Sequence, residues 1–78
     1  MKKHMVVERF NAGCFEKVYE RFDEYGRMLL DGLYYLNSLL NKEKNICFQL
    51  METDDERLFT DWIEKWKDLT DIEIFPID

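Results

Sequence analysis

The sequence predicts an α+β domain of ferredoxin-like βαββαβ order, a four-stranded antiparallel sheet with two helices on one face. Three observations predict it. Two stretches carry apolar residues at helical spacing, one from Cys14 to Tyr25 and one from Leu58 to Leu69. Short β-prone runs flank both of them. Asn41 to Asn45 (NKEKN) places five polar residues between two apolar runs, as the turn of a hairpin does. No linker, repeat or low-complexity segment divides the 78 residues, so residues 1–78 are expected to form a single domain.

His4 to Phe10 (HMVVERF) reads as the first strand, with Val6 and Val7 at its centre and polar Glu8 and Arg9 tapering into the turn group Asn11, Ala12, Gly13. Next, Cys14, Phe15, Val18, Tyr19, Phe22 and Tyr25 line one helical face, while Glu16, Lys17, Glu20, Arg21 and Glu24 fall opposite. Gly26 is suited to the left-handed cap that ends this helix, and Arg27 brings positive charge to the exposed carbonyls of its last turn. Leu33 to Leu40 (LYYLNSLL) suits a strand by its aromatics, and the hairpin joins it to Ile46 to Met51. Thr53-Asp54-Asp55-Glu56 has the Thr-x-x-Glu form of a capping box, so the second helix is expected to begin there. Its apolar face is Leu58, Phe59, Trp62, Ile63, Trp66 and Leu69. Ile72 to Ile77 (IEIFPI) closes the series as an edge strand, because Pro76 has no amide to donate to a ladder.

Composition narrows the function classes. The chain is 46% hydrophobic and 36% charged, which suits a folded domain, yet a domain of this size buries only about 60% of its unfolded surface. Its core is thin enough that association would help it. The formal charge of −6 opposes nucleic acid and anionic membrane surfaces as partners. No apolar run reaches the roughly 20 residues that span a bilayer. Two cysteines, Cys14 and Cys47, are too few for a stapled secreted scaffold, and no signal-peptide pattern is present, so a cytoplasmic location with reduced thiols is expected.

Two helices cover one face of a four-stranded sheet, and the other face of a monomer should then be polar. These strands do not alternate that way. Ile46, Phe48 and Leu50 point to one side of the third strand, and Cys47, Gln49 and Met51 to the other. In the second strand Leu33, Tyr35 and Leu39 are expected to share a side with Asn37, and Tyr34, Leu36 and Leu40 the opposite side with Ser38. Both faces read as largely apolar, and soluble monomers seldom expose such a patch. Pairing the sheets of two copies removes it. At roughly 25 cal/mol per Å², burying ~500 Å² is worth about 12 kcal/mol before the cost of association. The expected partner is a second copy of the chain.

Three stretches carry a family resemblance: MVVERFNAGC (Met5 to Cys14), VYERFDEYGRMLLDGLYYLNS (Val18 to Ser38) and CFQLMETDDERLFTDWIEKWKDL (Cys47 to Leu69). Together they resemble a family of small uncharacterised prokaryotic proteins in the dimeric α+β barrel superfamily. The resemblance implies a homodimer in which two ferredoxin-like sheets face each other as a barrel. It implies no particular activity, although relatives at superfamily level include cofactor-independent quinone-forming monooxygenases, haem-degrading enzymes and muconolactone isomerase-like proteins.

Candidate chemistry is sparse. His4 is the only histidine, so no histidine pair can build a zinc site, and Cys14 and Cys47 lack CxxC spacing. Neither a metal nor a cofactor is expected. Cys14 lies in the first turn of a helix, where the dipole lowers a thiol pKa, but it also lies on the apolar face, where cysteine acts as a small hydrophobe. Tyr35, Asn37 and Gln49, with Tyr34, put polar groups on otherwise apolar strands, which is the form of a small-molecule site. The plainer alternative is that Asn37 and Gln49 satisfy each other or nearby backbone. Trp62 and Trp66, four apart, suit either core packing or stacking on a planar ligand. The acidic run Asp54, Asp55, Glu56 is explained by helix capping. The loop Gly26 to Gly32 (GRMLLDG) either gates a cavity or tucks its leucines under the sheet. The chain holds no Gly-rich phosphate loop, RNP signature or acylphosphatase-like loop. The expected function is a small-molecule-binding or structural module, with Tyr35, Asn37, Gln49 and His4 as ligand contacts. The alternative is a cofactor-independent monooxygenase or isomerase acting on a small aromatic or lactone-like substrate, with the same residues orienting an oxygen or shuttling a proton.

Overall fold

The computed structural model describes residues 1–77. Strand β1 (Lys2–Phe10) is followed by helix α1 (Phe15–Tyr25), strands β2 (Leu33–Asn41) and β3 (Ile46–Thr53), helix α2 (Arg57–Glu64) and strand β4 (Thr70–Ile77). The sheet order is β2-β3-β1-β4, with every neighbouring pair antiparallel. This is the expected ferredoxin-like α+β arrangement. Pro76 falls in β4, an edge strand, where a missing amide is tolerated. The β2–β3 turn closes with Asn41 Oδ1 accepting from the Lys44 amide at 3.1 Å, and Asn45 takes the left-handed conformation at φ 53° that asparagine adopts readily.

Period-two alternation sorts β1 into two faces. His4, Val6, Glu8 and Phe10 are all buried, and Val6 and Phe10 join the core with Val18, Met51, Phe59, Trp62 and Trp66. Opposite partners in β3 extend that face, since His4 pairs with Met51, Val6 with Gln49 and Glu8 with Cys47. β4 adds Thr70, Ile72 and Ile74. The other face, bare of helices, carries Met5, Val7, Phe48, Leu50 and Phe75 across its middle. Charged pairs flank them, Lys3 with Glu52 at one end and Arg9 with Glu73 at the other. Leu39 is 71% exposed there, Phe75 48% and Phe48 37%.

Three local expectations are corrected. A bulge between Tyr35 and Asn37 breaks the alternation of β2. Beyond it Ser38 pairs with Gln49 and Leu40 with Cys47 on the helix side, whereas Asn37 and Leu39 face outward opposite Leu50 and Phe48. One inserted residue inverts every later side chain, so Tyr35, Ser38 and Leu40 share a face after all. The Thr53-x-x-Glu56 capping box does not form. Strand β3 runs through Thr53, whose hydroxyl donates to the Gly32 carbonyl at 2.7 Å, while Glu56 reaches His4 instead. Helix α2 therefore starts at Arg57, whose amide is accepted by Asp55 Oδ1 at 3.0 Å. It ends at Glu64, and Lys65 to Leu69 follow as tight turns that still bury Trp66 and Leu69.

Candidate functional site

Glu8 sits mid-strand between Val6 and Phe10, so the pleat aims its carboxyl into the layer between sheet and helices, and the residue is only 5% exposed. It opens there onto a partly open cavity of about 170 Å³. Gln49, Cys47 and Ser38 complete the sheet side of this space, and Val18, Tyr19 and Phe22 of α1 form one wall. Trp62, Trp66 and Leu40 form the rest of the apolar lining. A buried carboxyl is costly unless something bonds it. Gln49 Nε2 donates to Glu8 Oε1 at 3.2 Å, and no second partner for the carboxyl occurs among the described residues.

The opposite end of Gln49 is held from the α1–β2 loop. Arg27 Nε donates to Gln49 Oε1 at 3.3 Å, so one amide links a guanidinium to a carboxyl without their touching. Arg27 is placed by its own backbone. Its carbonyl accepts both indole N–H groups, from Trp62 at 2.8 Å and Trp66 at 3.1 Å. Gly26 and Met28 on either side have positive φ of 68° and 58°, which turns the chain sharply enough to drop the Arg27 side chain inward. The guanidinium then lies 3.6 Å from the Tyr35 ring centroid and 5.0 Å from that of Phe22, a stacked cation–π position. The expected contact of Arg27 with the carbonyls of the last α1 turn is replaced by this one. Met28, Leu29 and Leu30 pack against the core, which is the tucked form of the loop.

Electrostatics follow from burial. Loss of water pushes the Glu8 carboxyl up to about 7, with Gln49 and then Arg27 pulling in the other direction. Burial likewise pushes the Cys47 thiol up to about 11, helped by the neighbouring Glu8 charge and opposed by Arg27. Cys47 is therefore a thiol, not a thiolate, at neutral pH, and Glu8 is poised between its two forms. Tyr19 is raised as well, chiefly by desolvation. The site thus holds a proton-exchanging carboxyl, a fixed cation and aromatic walls. It is equipped to bind a small polar-tipped apolar molecule.

The four residues singled out from the sequence are not all together. Gln49 is central to the cavity, and Tyr35 stands at its edge under Arg27, its hydroxyl 2.7 Å from the Oγ of the lining residue Ser38. Asn37 lies on the outer face, where its Oδ1 accepts from the Ser38 amide at 2.9 Å. His4 lines a separate hollow of about 240 Å³ with Glu56, Phe59 and Pro76. There His4 is 1% exposed, Nε2 lies 3.1 Å from Glu56 Oε1, and its ring meets Phe59 edge-on at 5.0 Å. Sequence reasoning missed Glu8 and Arg27. The signal for Glu8 was present: in strict alternation it shares a face with Val6 and Phe10, so it belongs inside rather than to a polar taper. Arg27 carried none, because its direction is set by the loop's dihedral angles. Among the described residues no group of three or more His, Cys, Asp or Glu is arranged to hold a metal ion. No helix among the described residues is long and apolar enough to cross a membrane.

A family model described as a domain of unknown function, DUF3303, matches residues 2–77. No curated protein matches the chain.

Proposed function

The chain belongs to this domain family, DUF3303, and from that premise we propose that it is a small-molecule-binding module that works as a homodimer of the prokaryotic α+β barrel type, in the cytoplasm. The observation that carries the binding reading is the buried Glu8 carboxyl, half bonded by Gln49, at the wall of a cavity of about 170 Å³. A structural module has no use for such a group, because burying a carboxyl that pairs poorly lowers stability. Binding sites accept that loss. The dimer reading is supported by the outer sheet face, where Leu39, Phe48, Phe75 and Tyr34 stand exposed beside Met5 and Leu50. A second copy meeting this face in the same way would cover it, with the charged pairs at its ends left as a rim. The cytoplasmic reading is supported by two unpaired thiols, Cys14 and Cys47.

Thermal unfolding with quinols, haem and aromatic acids tests the binding reading, since a ligand that prefers the native state raises the melting temperature. A shift that saturates, and that disappears when Leu40→Trp fills the cavity, is expected. A panel that leaves the melting temperature unmoved contradicts it. Sedimentation equilibrium at micromolar concentration tests the dimer separately, with a two-chain mass expected and a folded single chain contradicting it.

A further inference from the structure

We infer that the ligand of the Glu8 cavity is a small monocarboxylate with an apolar body of about one ring, its carboxylate held between the terminal nitrogens of Arg27 and a protonated Glu8, with one proton taken up from water on binding. The inference deepens the binding reading above and rests on it. The polar atoms around the cavity carry it. Gln49 is used at both ends, as donor to Glu8 and acceptor from Arg27. Arg27 spends only Nε, so its terminal nitrogens keep their donors, with no partner among the described residues. Cys47, still a thiol at neutral pH, adds a weak S–H donor.

What these groups lack is an acceptor. A carboxylate supplies two oxygens, and the planar guanidinium matches it in shape. Charge decides the rest. A carboxylate beside an ionised Glu8 is repelled, but two carboxyl groups that share one proton bond each other, as in paired-carboxyl sites. With Glu8 protonated, Arg27 and the ligand carboxylate sum to zero, and no unpaired charge is buried. An ammonium ligand places a second cation beside Arg27. A neutral hydroxyl satisfies fewer of the vacant donors.

The proton has a ready place to go. Burial already holds Glu8 up to about 7, and a ligand that expels the remaining water pushes in the same direction. The charged or titratable groups facing Glu8 are Arg27 from the loop, Cys47 from β3 and Tyr19 from α1. From β4 its neighbour is Ile72, and the second helical segment brings only the rings of Trp62 and Trp66. Burial pushes both Cys47 and Tyr19 upward, away from the pH 6 to 8 range in which Glu8 exchanges its proton. Size agrees too, because a cavity of about 150 Å³ takes one benzene ring.

The test is calorimetric titration of the intact protein with benzoate, benzyl alcohol and benzylamine from pH 6 to 9, in pairs of buffers that differ in ionisation heat. Benzoate is expected to bind best, to weaken about tenfold per pH unit above roughly pH 7.5, and to take up close to one proton at pH 8. Glu8→Gln is expected to bind benzoate with a flat pH profile, and Arg27→Met, which keeps the backbone carbonyl bonded to both indoles, to bind it at least tenfold more weakly. If Arg27→Met does not fold, the pH profile of Glu8→Gln decides alone. Tighter binding of the alcohol or the amine overturns the acid assignment and leaves the binding reading standing, as does benzoate affinity that is constant from pH 6 to 9. Failure of all three probes at millimolar concentration removes the acid assignment, and the binding reading falls with it only if the quinols and haem also leave the melting temperature unmoved.

Discussion

Replacing Glu8 by glutamine keeps the shape of the side chain and removes its charge, so it isolates what ionisation of this buried carboxyl does to the fold. Between pH 4.5 and 7 the folded protein keeps a proton on Glu8 that the unfolded chain has already released. Raising the pH through that window therefore favours unfolding. At about 1.4 kcal/mol per pH unit, holding the carboxyl up to about 7 instead of its usual 4.5 makes its ionised form about 3 kcal/mol worse in the folded protein than in the unfolded chain. Glutamine escapes this loss, although it gives up some attraction to Arg27. Glu8→Gln is thus expected to match the parent near pH 5 and to exceed it by about 2–3 kcal/mol at pH 8, roughly 10–20 °C in melting temperature for a domain of this length. Urea unfolding followed by the fluorescence of Trp62 and Trp66, at one fixed protomer concentration from pH 5 to 9, measures the difference. Contributions from other carboxylates cancel between the two proteins, including Asp68, held down to about 2 by Arg21. Parallel pH profiles, or a variant less stable at pH 8, would refute the reasoning.

Three further outcomes are expected. His4→Ala empties a fully buried position against Phe59 and removes the partner of the exposed Glu56 carboxylate, and a loss of about 2–4 kcal/mol in urea unfolding, chiefly from the cavity, is expected, where a change under 0.5 kcal/mol would deny His4 its packing role. Gly32→Ala forces a side chain onto φ +93°, with its Cβ 3.1 Å from Leu58 Cδ1, and should destabilise by about 1–2 kcal/mol, while an unchanged midpoint contradicts the strain. Phe48→Glu, opposite Leu39 on the outer face, should turn the proposed dimer into a folded monomer in sedimentation equilibrium with circular dichroism retained, and a variant that stays dimeric excludes this face as the interface.

The element order was legible because it depends on local signals that tertiary contacts did not override. The helical spacing from Phe15 to Tyr25, the polar run at Asn41 to Asn45 and Pro76 at an edge each acted within a few residues. The site was less legible, for two physical reasons. The bulge after Tyr35 costs one residue of register and leaves no mark in composition, yet it decides that Ser38 and Leu40, not Asn37 and Leu39, meet Gln49 and Cys47. Glu56 had two competing partners, the capping position and His4, and a contact 52 residues away in sequence won. Gln49 was found because an amide amid apolar strand residues is conspicuous. Its two partners, Glu8 and Arg27, look like ordinary surface charges until the sheet and loop bring them to it.

The central claim is that Glu8 is a buried carboxyl poised to change its protonation near neutrality. Carbon-13 NMR of the side-chain carboxyl, assigned by comparison with Glu8→Gln, reads that directly. The Glu8 signal is expected to titrate with a midpoint near 7, well above the ordinary value of 4.5, because burial disfavours its charged form. A Glu8 midpoint at the ordinary value of 4.5 would contradict it.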